Sequence, residues 1–147
     1  MTIKGLDSLL RKLDSLGGNT HKALKVGIHQ GTKLVQGDAK RLVAVAEIDG
    51  GGLRNSIQGE TEEIDGKIVG KVSTNKEYGP YVEFGTGQRG IDSPSPPKAD
   101  IPLDYRQDWA GMEAQPFLFP ALKQNEEKVK EIIKNNVEKE IRKLGGS

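Results

Sequence analysis

The stretch Tyr78-Gly-Pro-Tyr-Val-Glu-Phe-Gly-Thr86 constrains this chain more than any other. Seven aromatic residues serve 147 positions; all lie between Tyr78 and Phe119, and three fall within Tyr78–Phe84. Buried aromatics remove large apolar areas from water, so this region is expected to anchor the core. Pro80 fixes its own φ and biases Gly79 away from helix, yet suits the first turn of a short helix predicted over Pro80–Phe84. In such a turn Tyr81 and Phe84 share a face and are expected to pack inward. Glu83 points elsewhere and needs a partner if it is covered. Gly85 and Gly87 end the element.

Helical periodicity brackets this centre. Ile3, Leu6, Leu9, Leu10, Leu13 and Leu16 recur at helical spacing before the stop signal Gly17-Gly18. A helix of this length is marginal alone and needs a surface, from its own domain or from a neighbouring subunit. A second helix is predicted from Asn19 or Thr20 to about Ala46, with the stripe Leu24, Ile28, Val35, Ala39, Leu42, Val43 and Ala46. Gly27, Gly31 and Gly37 lie inside it, each costing about 1 kcal/mol against Ala. They either permit close packing against the C-terminal helix or let the helix bend near Gly31. The reading adopted is one helix with a weak middle. Pro116-Phe-Leu-Phe-Pro-Ala-Leu122 leads into a last helix running to about Leu144, with the stripe Leu118, Leu122, Val129, Ile133, Val137, Ile141 and Leu144. Glu126–Lys130 and Glu138–Arg142 stand at i,i+4 in the favourable order on its solvated faces. The stripe lacks several strict heptads, so it reads as core and not as a coiled-coil seam.

Between the helices, Asp65-Gly66 is the favoured two-residue hairpin turn, flanked by strands predicted over Ser56–Ile64 and Lys67–Thr74. Leu53-Arg-Asn-Ser-Ile57 is expected to enter this sheet. Ile68, Gly70 and Val72 share one face of the second strand. The first strand carries Glu60, Glu62 and Glu63, which either resist edge-to-edge aggregation or offer a surface to a complementary neighbour. An isolated hairpin is unstable, so helices must cover one face. Residues 85–115 form a long irregular loop with the rigid Ser93-Pro-Ser-Pro-Pro97 and a possible short strand at Ile101–Tyr105. The expected architecture is α+β: one domain over 1–147, a small antiparallel hairpin-based sheet against two long helices, a short aromatic helix, and a peripheral helix over 1–18.

Three blocks carry a resemblance: Asp49-Gly-Gly-Gly-Leu-Arg-Asn-Ser-Ile57, the aromatic stretch, and Gly111-Met-Glu-Ala-Gln-Pro-Phe-Leu-Phe-Pro-Ala-Leu122. In this order they resemble the head–tail joining, or tail completion, proteins of long-tailed bacteriophages and prophages, over roughly residues 20–144. The family pattern has Pro and then Asp-Thr-Gly before Leu-Arg; here Glu47 and Gly50 stand in place of the Pro and the Thr. The resemblance implies a structural virion protein of the neck or tail, formed in the host cytoplasm. It implies a ring, a hexamer, whose partners are the head connector or head-closure proteins and the tail tube or tail terminator. DNA would pass through the lumen without sequence-specific contact, and the long loop would meet the next ring.

The remaining chemistry narrows the function classes. Net charge is +1, so composition does not announce a nucleic-acid binder. Residues 1–45 nevertheless hold eight Lys/Arg against three Asp, while residues 46–70 hold two against six acids. The basic N-terminal region and the acidic hairpin are candidates for the two sides of a head-to-tail contact, the alternatives being a solvated helix face or a DNA-binding or regulatory module. Cysteine is absent, which removes disulfides and thiolate sites. No run approaches a membrane span, and no signal-peptide pattern stands at the start. His21 and His29 sit roughly 80° apart on a helix and form no zinc-binding spacing. Serines lack a nucleophile elbow. Asp49-Gly-Gly-Gly52 lacks the helix N-terminus and Lys of a phosphate loop. No enzyme activity, cofactor or metal is expected. Arg54 and Glu83 are expected to form a partly buried ion pair. The candidate assembly residues are Arg54, Glu60, Glu62, Glu63, Tyr81, Glu83, Phe84, Trp109 and Phe117.

Overall fold

Helix α1, Gly18–Val45, is a single helix through all three interior glycines. It belongs to a computed structural model that describes residues 18–45, 51–94, 96–97 and 105–144. The remaining elements, in chain order, are α2 (Gly52–Ser56), β1 (Gln58–Ile64), β2 (Lys67–Ser73), α3 (Gly79–Phe84), α4 (Gly87–Asp92) and α5 (Leu118–Leu144). The described residues thus hold five helices and one two-stranded sheet, and the fold class is α+β, as expected. The predicted helix over residues 1–18, the strand at 101–105 and the stop at Gly145-Gly146 fall wholly or mainly outside the described residues.

The described residues gather into two compact units, one holding residues 18–36, 59–72 and 124–144, the other residues 37–45, 51–58, 73–94, 96–97 and 105–123. In the first unit two helices approach closely because glycines let them. A Cβ at Gly27 would stand 2.9 Å from the Ile133 backbone, and one at Gly31 would stand 2.7 Å from Val129 Cγ1. Ile133 is fully buried and Val129 nearly so, as are Leu24 and Ile28 of α1. The close-packing reading of these glycines therefore holds. Asn136 adds a polar tie, donating to Gln30 Oε1 at 2.9 Å. On the outside of α5, Arg142 pairs with Glu138 at 3.9 Å as the spacing predicts, and Lys130 meets Glu127 at 3.5 Å.

The hairpin lies on α1 in the same unit. Asp65 and Gly66 both have positive φ, 52° and 78°, which the type I′ turn requires at its two central residues. Ile68 is buried, and the space a Cβ would take at Gly70 is already filled by Thr32 and Ile28 of α1. Gly59 similarly faces Gln36 and Thr32. Small residues at these places let the sheet sit close to the helix.

The second unit corrects one sequence reading. Residues 53–57 do not enter the sheet: Gly52–Ser56 is a single helical turn, and β1 starts at Gln58. The buried Ser56 hydroxyl donates to Leu53 O, three residues back, at 2.6 Å. With its one proton spent, Ser56 accepts from Thr74 Oγ1 at 2.6 Å, and Thr74 Oγ1 in turn accepts from Lys76 N–H at 3.1 Å. A serine bonded back to its own turn competes with strand pairing, and alternation alone does not reveal this. Leu53 and Ile57 are each 1 % exposed, so the turn plugs into this unit's interior.

The glycines of α1 separate two effects. At Gly37 nothing lies within 4 Å of where a Cβ would stand, whereas Gly27 abuts backbone. Gly37→Ala should raise stability by about 0.5–1 kcal/mol through helix propensity. Gly27→Ala should lower it by about 1–3 kcal/mol through overpacking. Urea denaturation midpoints of the two variants against the parent check both signs.

Candidate functional site

The aromatic helix α3 is held by its acid, not by its aromatics. Val82 and Glu83 are 5 % and 2 % exposed, while Tyr81 is 49 % exposed and Phe84 is half-buried. The expectation that Tyr81 packs inward with Phe84 is therefore wrong. The short turn is rotated so that Val82 and Glu83 face the interior. Glu83 Oε2 accepts from the N–H groups of Phe117 and Leu118 at 2.7 and 2.9 Å, and Oε1 accepts from Phe119 N–H at 2.7 Å. These are the first N–H groups of α5, which lack intrahelical acceptors. Pro120 follows and has no N–H. Carboxylate and proline together thus leave no orphan donor through residue 120, and the negative charge sits where the helix dipole favours it. Val82 O accepts from Gln115 N–H at 2.7 Å beside this contact. Phe117 is 1 % exposed and belongs to the interior. It supports the surface and is not part of it.

The predicted Arg54–Glu83 pair does not form. Glu83's oxygens are occupied by backbone donors, and Arg54 is exposed on α2. A buried carboxylate needs strong donors, and three N–H groups meet that need without moving a second charge out of water.

The long loop has more structure than its composition suggests. Thr86 and Met112 form an isolated antiparallel bridge, with N–H···O distances of 2.9 and 3.1 Å. Gln88 and Arg89 N–H donate to the carbonyls of Trp109 and Ala110 at 3.0 and 2.9 Å. Tyr105 Oη donates to Phe84 O at 3.0 Å, and burial raises its pKa. Arg106 holds Asp108 by two bonds, at 3.1 and 2.9 Å, which lowers the Asp108 pKa. With its backbone tied down, this segment presents Trp109 and Met112 at 50 % and 44 % exposure. Helix α4 is not legible in the sequence because Gly-Gln-Arg-Gly-Ile-Asp shows no apolar periodicity; its first free N–H groups find acceptors in the chain at residues 109–110.

The three glutamates of β1 do not form one patch. Alternation turns Gly59, Thr61 and Glu63 toward α1, and Glu60 and Glu62 away. Glu63 accepts a hydrogen bond from His21 Nε2, Thr61 Oγ1 lies 3.3 Å from His29 Nδ1, and Lys33 Nζ reaches Gly59 O at 3.5 Å. The His21 bond, assisted by the nearby Lys25 charge, holds the Glu63 carboxyl below the ordinary glutamate range. Part of the attraction between basic helix and acidic strand is thus satisfied within the subunit. Glu60 and Glu62 remain exposed. Among the described residues no group of three or more His, Cys, Asp or Glu could hold a metal ion, and no helix is long and apolar enough to cross a membrane.

Residues 7–85 match the family described as "Bacteriophage HK97-gp10, putative tail-component". The chain belongs to this family. The match takes in α1, α2, the hairpin and α3 with Glu83, and ends before the segment that Glu83 holds. No curated protein and no solved structure matches the chain. The family makes this member a phage tail component, a structural part of the virion that assembles with other virion proteins.

Two variants separate the clamp from the discarded ion pair. Glu83→Ala should destabilise by about 3 kcal/mol, since three helix-end donors lose a charged acceptor. Arg54→Ala should stay within about 0.5 kcal/mol, as expected of an exposed side chain. Chemical denaturation of both checks the contrast. For Glu63, the lowered pKa means its contribution to stability is present above the ordinary glutamate pKa and is lost as acid titrates through the lowered value. A carboxyl-carbon NMR titration should place Glu63 below the ordinary glutamate range, and His21→Ala should move it back toward that range.

Proposed function

We propose that this tail component completes the tail where it meets the head connector, assembling as a hexameric ring around the DNA channel. The family match over residues 7–85 carries the reading. The ordered blocks support it, since the third block, residues 111–122, supplies the N–H groups that the second block's Glu83 holds. Its neighbours would be the head connector or head-closure proteins on one side and the tail tube or tail terminator on the other. The protein would form in the host cytoplasm and end in the neck, with DNA passing through without sequence-specific contact.

A ring of identical copies needs two different, complementary patches on each copy. Exposed groups of both signs are present: Glu60 and Glu62 on β1, and Lys22, Lys25 and Lys33 on α1. Trp109, Tyr81 and Met112 give the second unit large half-exposed side chains of the kind that anchor interfaces. The exposed lysines of α1 also support a second reading, a DNA-binding module using this basic face. That reading requires affinity for duplex DNA that falls steeply with salt.

Deleting the gene from a phage that carries it should leave filled heads and complete tails unattached in electron micrographs. Joined, infectious particles would overturn the joining role. Salt-sensitive DNA binding by the purified protein, with normal particles, would favour the DNA-binding module.

A further inference from the structure

We propose that the hairpin is the subunit-to-subunit joint: the β1 edge of one copy pairs with the β2 edge of the next. This rests on the ring reading above and names the surface that closes it. Among the described residues β1 and β2 pair only with each other, so each strand keeps one edge with no strand beside it.

The turn dictates which groups face outward. A two-residue type I′ turn makes Ile64 and Lys67 a hydrogen-bonded pair, and such pairs alternate along the ladder. The outward backbone groups are then those of Gly59, Thr61 and Glu63 on β1, and of Ile68, Gly70 and Val72 on β2. The contact of Lys33 Nζ with Gly59 O agrees with this assignment. It is a long, exposed contact at 3.5 Å that a backbone donor of a second copy would replace.

Charge selects which edges meet. The face turned away from α1 carries Glu60, Glu62 and Ile64 on β1, and Lys67, Val69 and Lys71 on β2, all exposed. One strand is acidic there and its partner basic. Pairing β1 with β1, or β2 with β2, sets like charges across a ladder, which is destabilising. Pairing β1 with the β2 of another copy sets Glu beside Lys. A rotation axis along the strands keeps strand direction, so β2 of one copy meets β1 of the next antiparallel, as each meets its own partner. The contact is heterologous, and heterologous contacts close into a ring when the rotation from copy to copy closes. Ile64 and Val69, 51 % and 36 % exposed, would gain neighbours on the shared face.

Absence of cysteine makes the test direct. Full-length chains carrying Glu62→Cys are mixed under mild oxidation with chains carrying Lys67→Cys, Val69→Cys or Lys71→Cys, which sample the registers that keep side chains on one face. Circular dichroism confirms folding of each. For one of the three mixtures the mixed disulfide should exceed both same-variant dimers about tenfold, the ratio for about 1.4 kcal/mol of preference. Adding Lys67→Glu and Lys71→Glu to the Val69→Cys chain should lower its mixed disulfide with the Glu62→Cys chain. Predominant same-variant dimers, or cross-linking no greater than that of a Lys134→Cys control on α5, would overturn the proposal. Failure here with unattached heads and tails in the gene deletion removes the edge joint and leaves the joining role standing. A specific cross-link with normal particles does the reverse.

Discussion

One buried carboxylate holds the second unit together at the start of α5. Helix α5 begins at Leu118 with no acidic residue in its first turn, and a side chain from 35 residues earlier supplies the acceptor. The exchange is favourable for both partners. The helix end presents unsatisfied N–H groups that need an acceptor. Glu83, at 2 % exposure, needs donors that do not themselves bring a charge to be buried. Because Oε2 takes two N–H groups and Oε1 a third, the carboxylate fixes position and rotation of the helix end together. Helix α3 is then a short arm whose purpose is to place Glu83. Its terminal Gly85, with φ of 77° and the chain around residues 112–114 packed against it, turns the backbone where a side chain would not fit.

The first unit uses a different principle. Its helices and hairpin meet through missing side chains: Gly27 and Gly31 on α1 receive Ile133 and Val129, and Gly70 and Gly59 receive Thr32 and its neighbours. Each glycine weakens its own element, and closer packing offsets that cost. Polar contacts, His21 with Glu63 and Gln30 with Asn136, lie at the margins of this interior. The two units thus depend on opposite features, one on a specific carboxylate and the other on the absence of bulk.

These differences explain what can be read in advance. Long apolar stripes make α1 and α5 legible to within a residue or two, and Asp65-Gly66 marks the hairpin turn, because both signals are local. The close-packing role of Gly27 and Gly31 is one of two alternatives in the sequence, and only the partner helix decides between them. Glu83 stands out as a group needing a partner, but Arg54 is the wrong one. Sequence displays side chains, and the true donors are backbone N–H groups, which every residue carries. The same blindness hides α2, where a serine hydroxyl bonds back to its own turn, and α4, whose Gln88 and Arg89 N–H groups donate to the carbonyls of residues 109–110. Aromatic character alone argues for an inward Tyr81. In a six-residue helix the acid at position 83 decides the rotation instead.

Outward aromatics and a sheet whose two edges stand open among the described residues are tolerable for different reasons. Single exposed aromatics are ordinary on any protein surface, and Trp109 alone would mean little. An open strand edge is a standing hazard, and proteins blunt it with charge. Here the charge is applied unequally, acids on β1 and lysines on β2. That arrangement deters each edge from its own kind while leaving it receptive to the other. Mixed charges on both strands would have deterred aggregation without favouring any particular neighbour. A tail component must avoid random association while free and still join its neighbours in a fixed order. Under the proposed edge joint, segregating the two signs onto adjacent strands would meet both demands with the same few residues.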